Sequence, residues 1–556
     1  MADKPEISRY RGRFKQLEDE SFEWKETWRE IQRYMNPRKG RYLRGNTNKK
    51  KDVGRTMDQR IINNTAGLAA DTLASGMMSG LTSPSRPWFV LGLSDEELMQ
   101  FEPVKEWLHD VRQVLLKVFS GSNFYATVHN VYKELAVFGI GAMFIEEDFT
   151  DVIRCRPFTI GEYRLANGKK NKPDVLYRQF TDTARNLVHE FGIDNVSESI
   201  RTSFKNHQLE TDFEVIHAIQ PNGDFDPTRR DSRGMSFESK YFERTSSNDN
   251  KFLSESGFRE QPFAVARWEV TGTEAYSDGP GWTALSDTRM LQKMEEEKLK
   301  ALAKSVSPPL NAPTDLKKIG AIIVPNGVNY IDRSKGDPGV TPVYQVNPNL
   351  QAMAVELERV EDRINRSFFK DLILGVLEVN KTMTATEVVQ RNTEALKILG
   401  PVVDRLQSEF LDTIVERVYA ISERLGLIPE APQELAGRDI SIEYISVLAQ
   451  AQKATGTTAI EQTVQFVGNL SAIFPDVVDK FDADEAVDQF SALVGVPPKL
   501  VVPDDRVEVI RAQRAKQAEQ AQAQAQLAQM VDGAKTMSET KLGEDNLLAT
   551  VTEEPV

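Results

Sequence analysis

Residues 346–369 read VNPNLQAMAVELERVEDRINRSFF. Leu350, Met353, Leu357, Val360, Ile364 and Phe368 recur three or four apart, the spacing that lines side chains along one face of an α-helix. Asn347-Pro348 offers a cap with proline at the first helical position. The polar stretch Glu378-Val379-Asn380-Lys381 then interrupts the stripe. Thr384-Ala385-Thr386-Glu387 restarts it as a capping box, with Met383 and Val388 placed as a hydrophobic staple. A second stripe runs through Val403, Leu406, Phe410, Ile414, Val418, Ile421 and Leu425, and Gly426 and Pro429 end it. The second helix is expected to reach about 60 Å at roughly 1.5 Å per residue, with a kink at Gly400-Pro401. A helix of that length serves as a strut in a large assembly more often than as part of a compact enzyme domain.

Upstream of this pair, Gly279-Pro280-Gly281 precedes a helix over 284–305 in which Glu296 and Lys300 stand at the supportive i, i+4 spacing. Ser307-Pro308-Pro309 ends it, and 306–345 reads as short β segments with a tight turn at Pro325-Asn326-Gly327. The chain opens with an amphipathic helix carrying Phe14, Leu17, Ser21, Trp24, Trp28, Ile31 and Met35, stopped by Pro37. A basic loop follows: Arg38, Lys39, Arg41, Arg44, Lys49, Lys50, Lys51 and Arg55. Residues from about 57 to 81 read as a helix rich in alanine and glycine, suited to close packing on a neighbour. Helical pattern returns over 103–138, and Gly139-Ile140-Gly141 turns the chain into a strand. Residues 150–275 are mostly β, with 222–250 a long hairpin or loop. After a short strand at 440–445 the chain is helical, with a run over 512–529 made largely of alanine and glutamine. From Gly533 the composition predicts disorder.

The 556 residues are enough for several domains, and 40% hydrophobic with 27% charged residues describes a foldable chain. The net charge of −14 argues against a tight general nucleic-acid binder, but not against a protein that DNA slides past. The single cysteine, Cys155, rules out an intrachain disulfide and disfavours a cysteine metal site. No apolar run approaches 18 residues, so no membrane span is expected, and the opening MADKPEISRYRGRF is too polar for a signal peptide.

Catalytic patterns are missing. There is no GxxxxGK phosphate loop, no HExxH, and Gly139-Ile140-Gly141 has the wrong order of elements for a dinucleotide fingerprint. Five scattered histidines read as packing or surface residues. Arg154 and Arg156 would lower the Cys155 thiol pKa if they stood close, yet a buried cysteine is the simpler reading. The acidic pairs Glu146/Glu147 and Asp482/Asp484 read as solvated faces or helix-start charges. The expectation is a non-enzyme with no cofactor and no metal.

Three stretches resemble the portal, or head-to-tail connecting, proteins of short-tailed (podovirus-type) bacteriophages. They are RIINNTAGLAADTLASGMMSGLTSPSRPWFVLGL at 60–93, DGPGWTALSDTRMLQKMEEEKLKALAKSVSPPL at 278–310, and NPNLQAMAVELERVEDRINRSFFKDL followed by TMTATEV. The RYMNPRKGRY exit of the opening helix is also similar. The resemblance implies an α+β, mainly helical fold with wing, stem, clip and crown, assembled as a ring around a central channel. In those terms 1–277 is wing, 278–305 stem helix 1, 306–345 clip and 346–375 stem helix 2. The tunnel loop is 376–384, the long wing helix and return strand 385–445, the crown 446–532 and a disordered acidic tail 533–556.

The function so implied is a ring at one capsid vertex through which double-stranded DNA is packaged and later ejected. The alternative is another structural virion protein, a head–tail adaptor or internal core protein. Expected partners are eleven further copies in a 12-mer, the terminase large subunit, a tail adaptor, and major capsid, scaffolding or internal core proteins, with no membrane. The place is the head–tail vertex of the virion, after assembly in the host bacterial cytoplasm.

Asn380, Lys381 and Thr382 in the tunnel loop are the candidate DNA-channel residues, with Lys381 either facing DNA or simply solvated. Arg38, Lys39, Arg41, Arg44, Lys49, Lys50 and Lys51 form a possible contact loop for DNA, capsid protein or an adjacent subunit, or else a solvated loop. Leu350, Met353, Leu357, Val360 and Ile364 are expected to pack stem on stem between subunits, with packing inside one chain holding in part whatever the function. Twelve copies would carry roughly −168 before screening, and a channel lined mainly with acid would let DNA pass without deep binding minima.

Overall fold

The computed structural model describes residues 6–39, 42–43, 61–93, 95, 98, 101–229, 231–244, 251–312, scattered positions from 317 to 343, 349–377, 399–435, 440–444, 460–471, 474–494, 500–502 and 504–539. Helices and sheets alternate along the chain in an α+β arrangement in which helices dominate. Two compact units result. The first is built from Met1–Ser94, Asp110–Ala431 and Gly437–Ala451, the second from Asp95–His109, Pro432–Ala436 and Gln452–Val556.

The opening stripe folds as two helices, α1 (Glu6–Glu20) and α2 (Phe22–Met35), not one. The break falls at Ser21, fully buried, whose hydroxyl donates to Glu18 O at 2.9 Å. Such local side-chain-to-backbone bonds compete with continuous helix. Helix α3 (Thr65–Leu81) starts later than the composition predicts and buries Ala66, Ala69, Ala70 and Ala74. Strand β1 (Phe89–Leu93) follows. The helical stretch 103–138 divides into α4 (Glu102–Gly121) and α5 (Phe124–Phe138). Gly139 then caps α5 in the left-handed region (φ +82°), its N–H reaching Leu135 O at 2.9 Å. This is a turn, as its position after a helix requires.

Strands β2 (Ile140–Asp148), β3 (Val152–Phe158), β4 (Tyr163–Asn167) and β5 (Pro173–Thr183) come next, followed by helices α6 (Ala184–Phe191) and α7 (Glu198–Lys205). The remaining strands of this region are β6 (Asp212–Pro221), β7 (Phe237–Glu243), β8 (Ser254–Phe258) and β9 (Phe263–Arg267). They build an antiparallel five-stranded sheet, β4-β5-β6-β7-β8, and a three-stranded sheet, β3-β2-β9. The stretch after Pro221 is the connection of the β6–β7 hairpin, paired in register Gln220↔Glu238. Alternation along β6 sends Ile216 and Ala218 to one face, where Ile7, Tyr10, Phe14 and Leu17 of α1 cover them. Val215 goes to the other face, with Leu187 of α6 and Ile200 of α7. The period of two thus explains why one sheet carries helices on both sides.

A single turn at Pro280–Thr283 leads into α8 (Leu285–Val306). Strands β10 (Leu310–Asn311) and β11 (Thr341–Pro342) pair antiparallel beyond it, and Gly327 N–H closes a turn on Val324 O at 2.9 Å. The return helix is α9 (Leu350–Ser367). Its cap is Asn349, not Asn347: the Asn349 side chain accepts from Ala352 N–H at 3.0 Å, the third residue in, which is the reach a side-chain cap has. The predicted continuation to 375 is broken at Phe369, which takes φ +54° before α10 (Lys370–Leu377).

Residues 399–405 are helical across Gly400-Pro401, and the departure from α geometry comes later, as a π turn at Leu406–Leu411 before α11 (Asp412–Arg424). Strand β12 (Ile440–Tyr444) pairs antiparallel with β1. The second unit contains helical residues 460–471, α12 (Ala483–Val494) and α13 (Asp504–Glu539). Helix α13 continues through Gly533, where disorder was expected. Within this unit Arg511 grips both carboxylate oxygens of Asp484 at 2.6 and 2.7 Å, while Asp482 caps the start of α12 by accepting from Asp484 N–H and Glu485 N–H.

Candidate functional site

Helices α8 and α9 form an antiparallel hairpin whose base is packed and whose far half is open. The start of α8 buries Thr288, Leu291 and Gln292. From its middle onward α9 buries Leu357, Val360 and Ile364, and Phe368 just past its end is buried with them. Arg363 closes the base by donating to Asp287 at 2.9 and 3.2 Å. Farther out, Leu299 is 51% exposed, Val306 81% and Val355 44%. Leu357, Val360 and Ile364 therefore already serve the chain's own core, against α8 and α3. Met353 is half-buried, and the Leu350 side chain lies outside the described residues. Salt bridges along α8 cancel its charge locally: Lys293 meets Glu296 and Glu297 at 3.1 and 3.0 Å, and Lys300 meets Glu296 at the predicted i, i+4 spacing at 2.6 Å.

The base is locked by polar residues that periodicity alone does not single out. Gln292 is 5% exposed. Its Oε1 accepts from Ile62 N–H and Asn63 N–H at 2.7 and 3.0 Å, and its Nε2 donates to Asn63 O at 2.6 Å. Asn63 Nδ2 donates to Glu361 of α9 at 2.6 Å and, at 3.4 Å, to Glu295 of α8. Asn63 Oδ1 accepts from Thr65 N–H at 3.0 Å and opens α3. One asparagine thus joins α3, α8 and α9. Each of the three stretches singled out in the sequence contributes a member of this joint. The available signal was Gln292, an amide set in a helix face otherwise meant for burial, since a buried amide requires partners.

Helix α3 holds the next element through a missing side chain. A Cβ at Gly76 would lie 2.3 Å from Ile373 Cγ2, so α10 seats Ile373 in the groove that Gly76 leaves. Behind the hairpin, Trp24, Trp28, Tyr276 and Trp282 form an aromatic cluster with centroids 5.1 to 6.1 Å apart, and Trp282 Nε1 donates to Phe138 O at 3.0 Å.

A family of bacteriophage head to tail connecting proteins matches residues 8–502. The chain belongs to that family. It is 40% identical over 538 residues to the portal protein of Salmonella phage epsilon15, covering 96% of each chain. It is 37% identical over 553 residues to the probable portal protein of Bordetella phage BPP-1, covering 99% of each. The function is that of a phage portal, the connector of head and tail, and its place is the head–tail connection of the virion.

The other candidate residues of this connector are distributed as follows. Asn380, Lys381 and Thr382 lie outside the described residues, as does the capping box at 384–387. So do Arg41, Arg44, Lys49, Lys50 and Lys51 of the basic loop. Arg38 is exposed. Lys39 is committed to the core: its Nζ lies 2.8 Å from Glu134, which is 2% exposed. Burial pushes the Glu134 carboxyl above its usual range, and Lys39 opposes that shift.

Cys155 is buried and its thiol is pushed up to about 12 by burial. Arg154 and Arg156 alternate to the opposite face of β3 and pair with Asp148 and Glu146. Glu147 is not merely solvated; it and Glu260 form an ion-pair cluster with Arg417 and Arg424. His217 is buried, bonded to Ser239 Oγ at 2.8 Å and stacked on Tyr241. Burial holds its pKa well below the usual histidine value.

The negative balance is not spread evenly. The second unit holds 23 acidic and 10 basic residues, a balance of −13 out of the chain's −14. The first unit is left nearly neutral. Among the described residues no helix is long and apolar enough to cross a membrane, and no group of three metal-ligating side chains occurs.

Proposed function

We propose that this connector acts as a ring of twelve copies at one capsid vertex, a channel for double-stranded DNA on its way in and later out. In this reading it is a passive conduit without catalytic activity, assembled in the host cytoplasm. The α8–α9 hairpin is the stem, and β10 with β11 belongs to the clip, where the terminase large subunit and later a tail adaptor attach. The second unit corresponds to the crown, and capsid, scaffolding or internal core proteins surround the wing.

The observation that carries the reading is the hairpin itself. Its base is fixed within one chain by Asn63 and Gln292, while Leu299, Val306 and Val355 farther out are uncovered. Apolar side chains left in water along one strut are what a neighbouring strut covers, and repetition of one head-to-tail contact about an axis closes a ring. The short β10–β11 pair leaves edges that a neighbouring clip can satisfy. In the tunnel loop, Asn380, Lys381 and Thr382 face passing DNA, with Lys381 giving weak phosphate contact. Of the basic loop, Arg38, Arg41, Arg44, Lys49, Lys50 and Lys51 remain candidates for an anionic partner.

Negative-stain imaging of the purified protein tests the proposal. Rings with an axial hole are the expected result; monomers or open filaments refute it. Leu299→Glu is expected to abolish rings while leaving the folded monomer.

A further inference from the structure

The long helix carries an irregularity that its surroundings enforce. At Leu406–Leu411 the backbone makes a π turn, and Asp412 N–H reaches Gln407 O, five residues back. A π turn fits one residue more into the helix than α geometry allows, and it persists where neighbours hold it. Three contacts do so here. Lys172 Nζ donates to Ser408 O at 2.6 Å, the carbonyl to which Asp412 N–H would bond in an α-helix. Glu409 accepts from both Arg267 Nε and an Arg267 terminal nitrogen at 2.7 Å. Arg405, one residue before the turn, donates to Trp268 O at 2.6 Å.

The grip is rigid on the strand side. Arg267 ends β9 and is 1% exposed. Its remaining donors go to Asn171 O at 2.8 Å and Glu274 O at 3.0 Å. Asn171 and Asn167 brace the same corner through Gly272 O, Thr273 O and Glu274 O. The neighbouring Trp268 stacks on Phe369, the residue with φ +54° between α9 and α10. A bulky residue in the left-handed region is strained and is kept there by packing. Two consecutive residues at one strand end therefore hold both the π turn and the corner where the α9 hairpin arm bends.

We propose that the Arg267–Glu409 pair is a latch that keeps this helix in π register, and that its release lets residues 406–411 anneal to α geometry. The conversion removes one residue of slack. Residues 399–405 then turn by roughly 100° about the axis of α11 and shift by about 1.5 Å, and Arg405 leaves Trp268 O. The latch couples the sheet β3-β2-β9 to the rotational setting of everything attached to the start of this helix.

Spin labels at Asp404→Cys and Glu423→Cys, both exposed positions on either side of the turn, report the register; buried Cys155 does not take the label. Labelled chains are diluted with unlabelled chains so that each distance is intramolecular. A chain with Ser408 deleted, in which the turn has lost its extra residue and the flanking segments keep their wild-type setting, supplies the latched reference. Arg267→Met is expected to move the distance distribution away from the value shared by wild type and the deletion, to that of continuous α-helix between the labels, turned by roughly 100° and longer by about 1.5 Å. Glu409→Gln, which keeps the side-chain shape and loses the charge, is expected to populate both distances and carries the test if Arg267→Met does not fold. Wild-type distances in the folded variants, with only a lower melting temperature, would overturn the proposal.

Discussion

Replacing Gln292 with Met keeps the length of the side chain and removes all three hydrogen bonds at the hairpin base. The variant strands Asn63 N–H and Asn63 O beside a nearly dry side chain, and it frees Ile62 N–H. A buried polar group left without a partner costs about 1–3 kcal/mol. Ile62 is 44% exposed and Asn63 is half-buried, so water replaces most of the first lost bond and part of the other two, and the summed cost comes to about 2–4 kcal/mol. Every 1.4 kcal/mol is a factor of ten in the opening equilibrium. Amide exchange at Ile62, Asn63 and Thr65 should therefore accelerate by about 30- to 700-fold, measured by hydrogen exchange on the full chain. Amides in β5 and β6, which touch neither Gln292 nor Asn63, serve as the internal control. The proposed rings should become fewer, since the α8–α9 hairpin loses its fixed angle to α3. Protection at Asn63 within threefold of the wild-type value, with β5 and β6 unchanged, would refute the assignment of Gln292 as the lock.

Gly76→Ala should destabilise the first unit by about 1–3 kcal/mol in denaturant unfolding, because the new methyl meets Ile373 Cγ2 at 2.3 Å. Ile373→Ala should recover part of that loss, and simple additivity of the two changes would show that they do not touch. His217 has a folded-state pKa well below its unfolded value. The unfolded chain thus takes up a proton first, and stability falls as pH drops below about 6.5, by at most about 1.4 kcal/mol per pH unit. His217→Gln should remove that slope in urea titrations from pH 7.5 to 5. Glu134 has the opposite sign: its carboxyl is raised in the fold, so the charged form is disfavoured and stability declines as pH climbs from about 4.5. Glu134→Gln should gain on wild type over that rise, and a stability difference independent of pH would contradict it. Lys381→Ala should leave ring assembly intact on grids, and loss of rings would mean the loop is structural.

Much of the hairpin was legible because it obeys one local rule. The interval 284–305 and the helix Leu285–Val306 nearly coincide, since a 3.6 period bounded by Gly-Pro-Gly and Ser-Pro-Pro needs no tertiary information. The breaks were not legible. Ser21 occupies a position of the stripe and reads as one more helical residue, and only the surrounding burial makes its hydroxyl turn back on Glu18. Phe369 takes a backbone conformation that its side chain disfavours, so the cause lies in Trp268, about 100 positions away. The π turn is equally silent, because Lys172 in the β4–β5 turn and Arg267 at the end of β9 hold it from far along the chain. The site was half visible: the apolar stripe announced α9, whereas Asn63 and Gln292 gain meaning only when three distant segments meet.

The partition of charge has a consequence for how copies come together. A nearly neutral first unit and a second unit of −13 behave as two different solutes. The first unit can associate through contact alone. The second units, wherever copies bring them together, repel within a Debye length of about 8 Å at physiological ionic strength and about 30 Å in dilute buffer. Oligomer yield should therefore climb with added salt, the reverse of an assembly held by ion pairs. Trimming the chain after residue 451 removes −8 of that −13 and should weaken the dependence accordingly, because the condensed cations that screen the second units would then have less charge to answer.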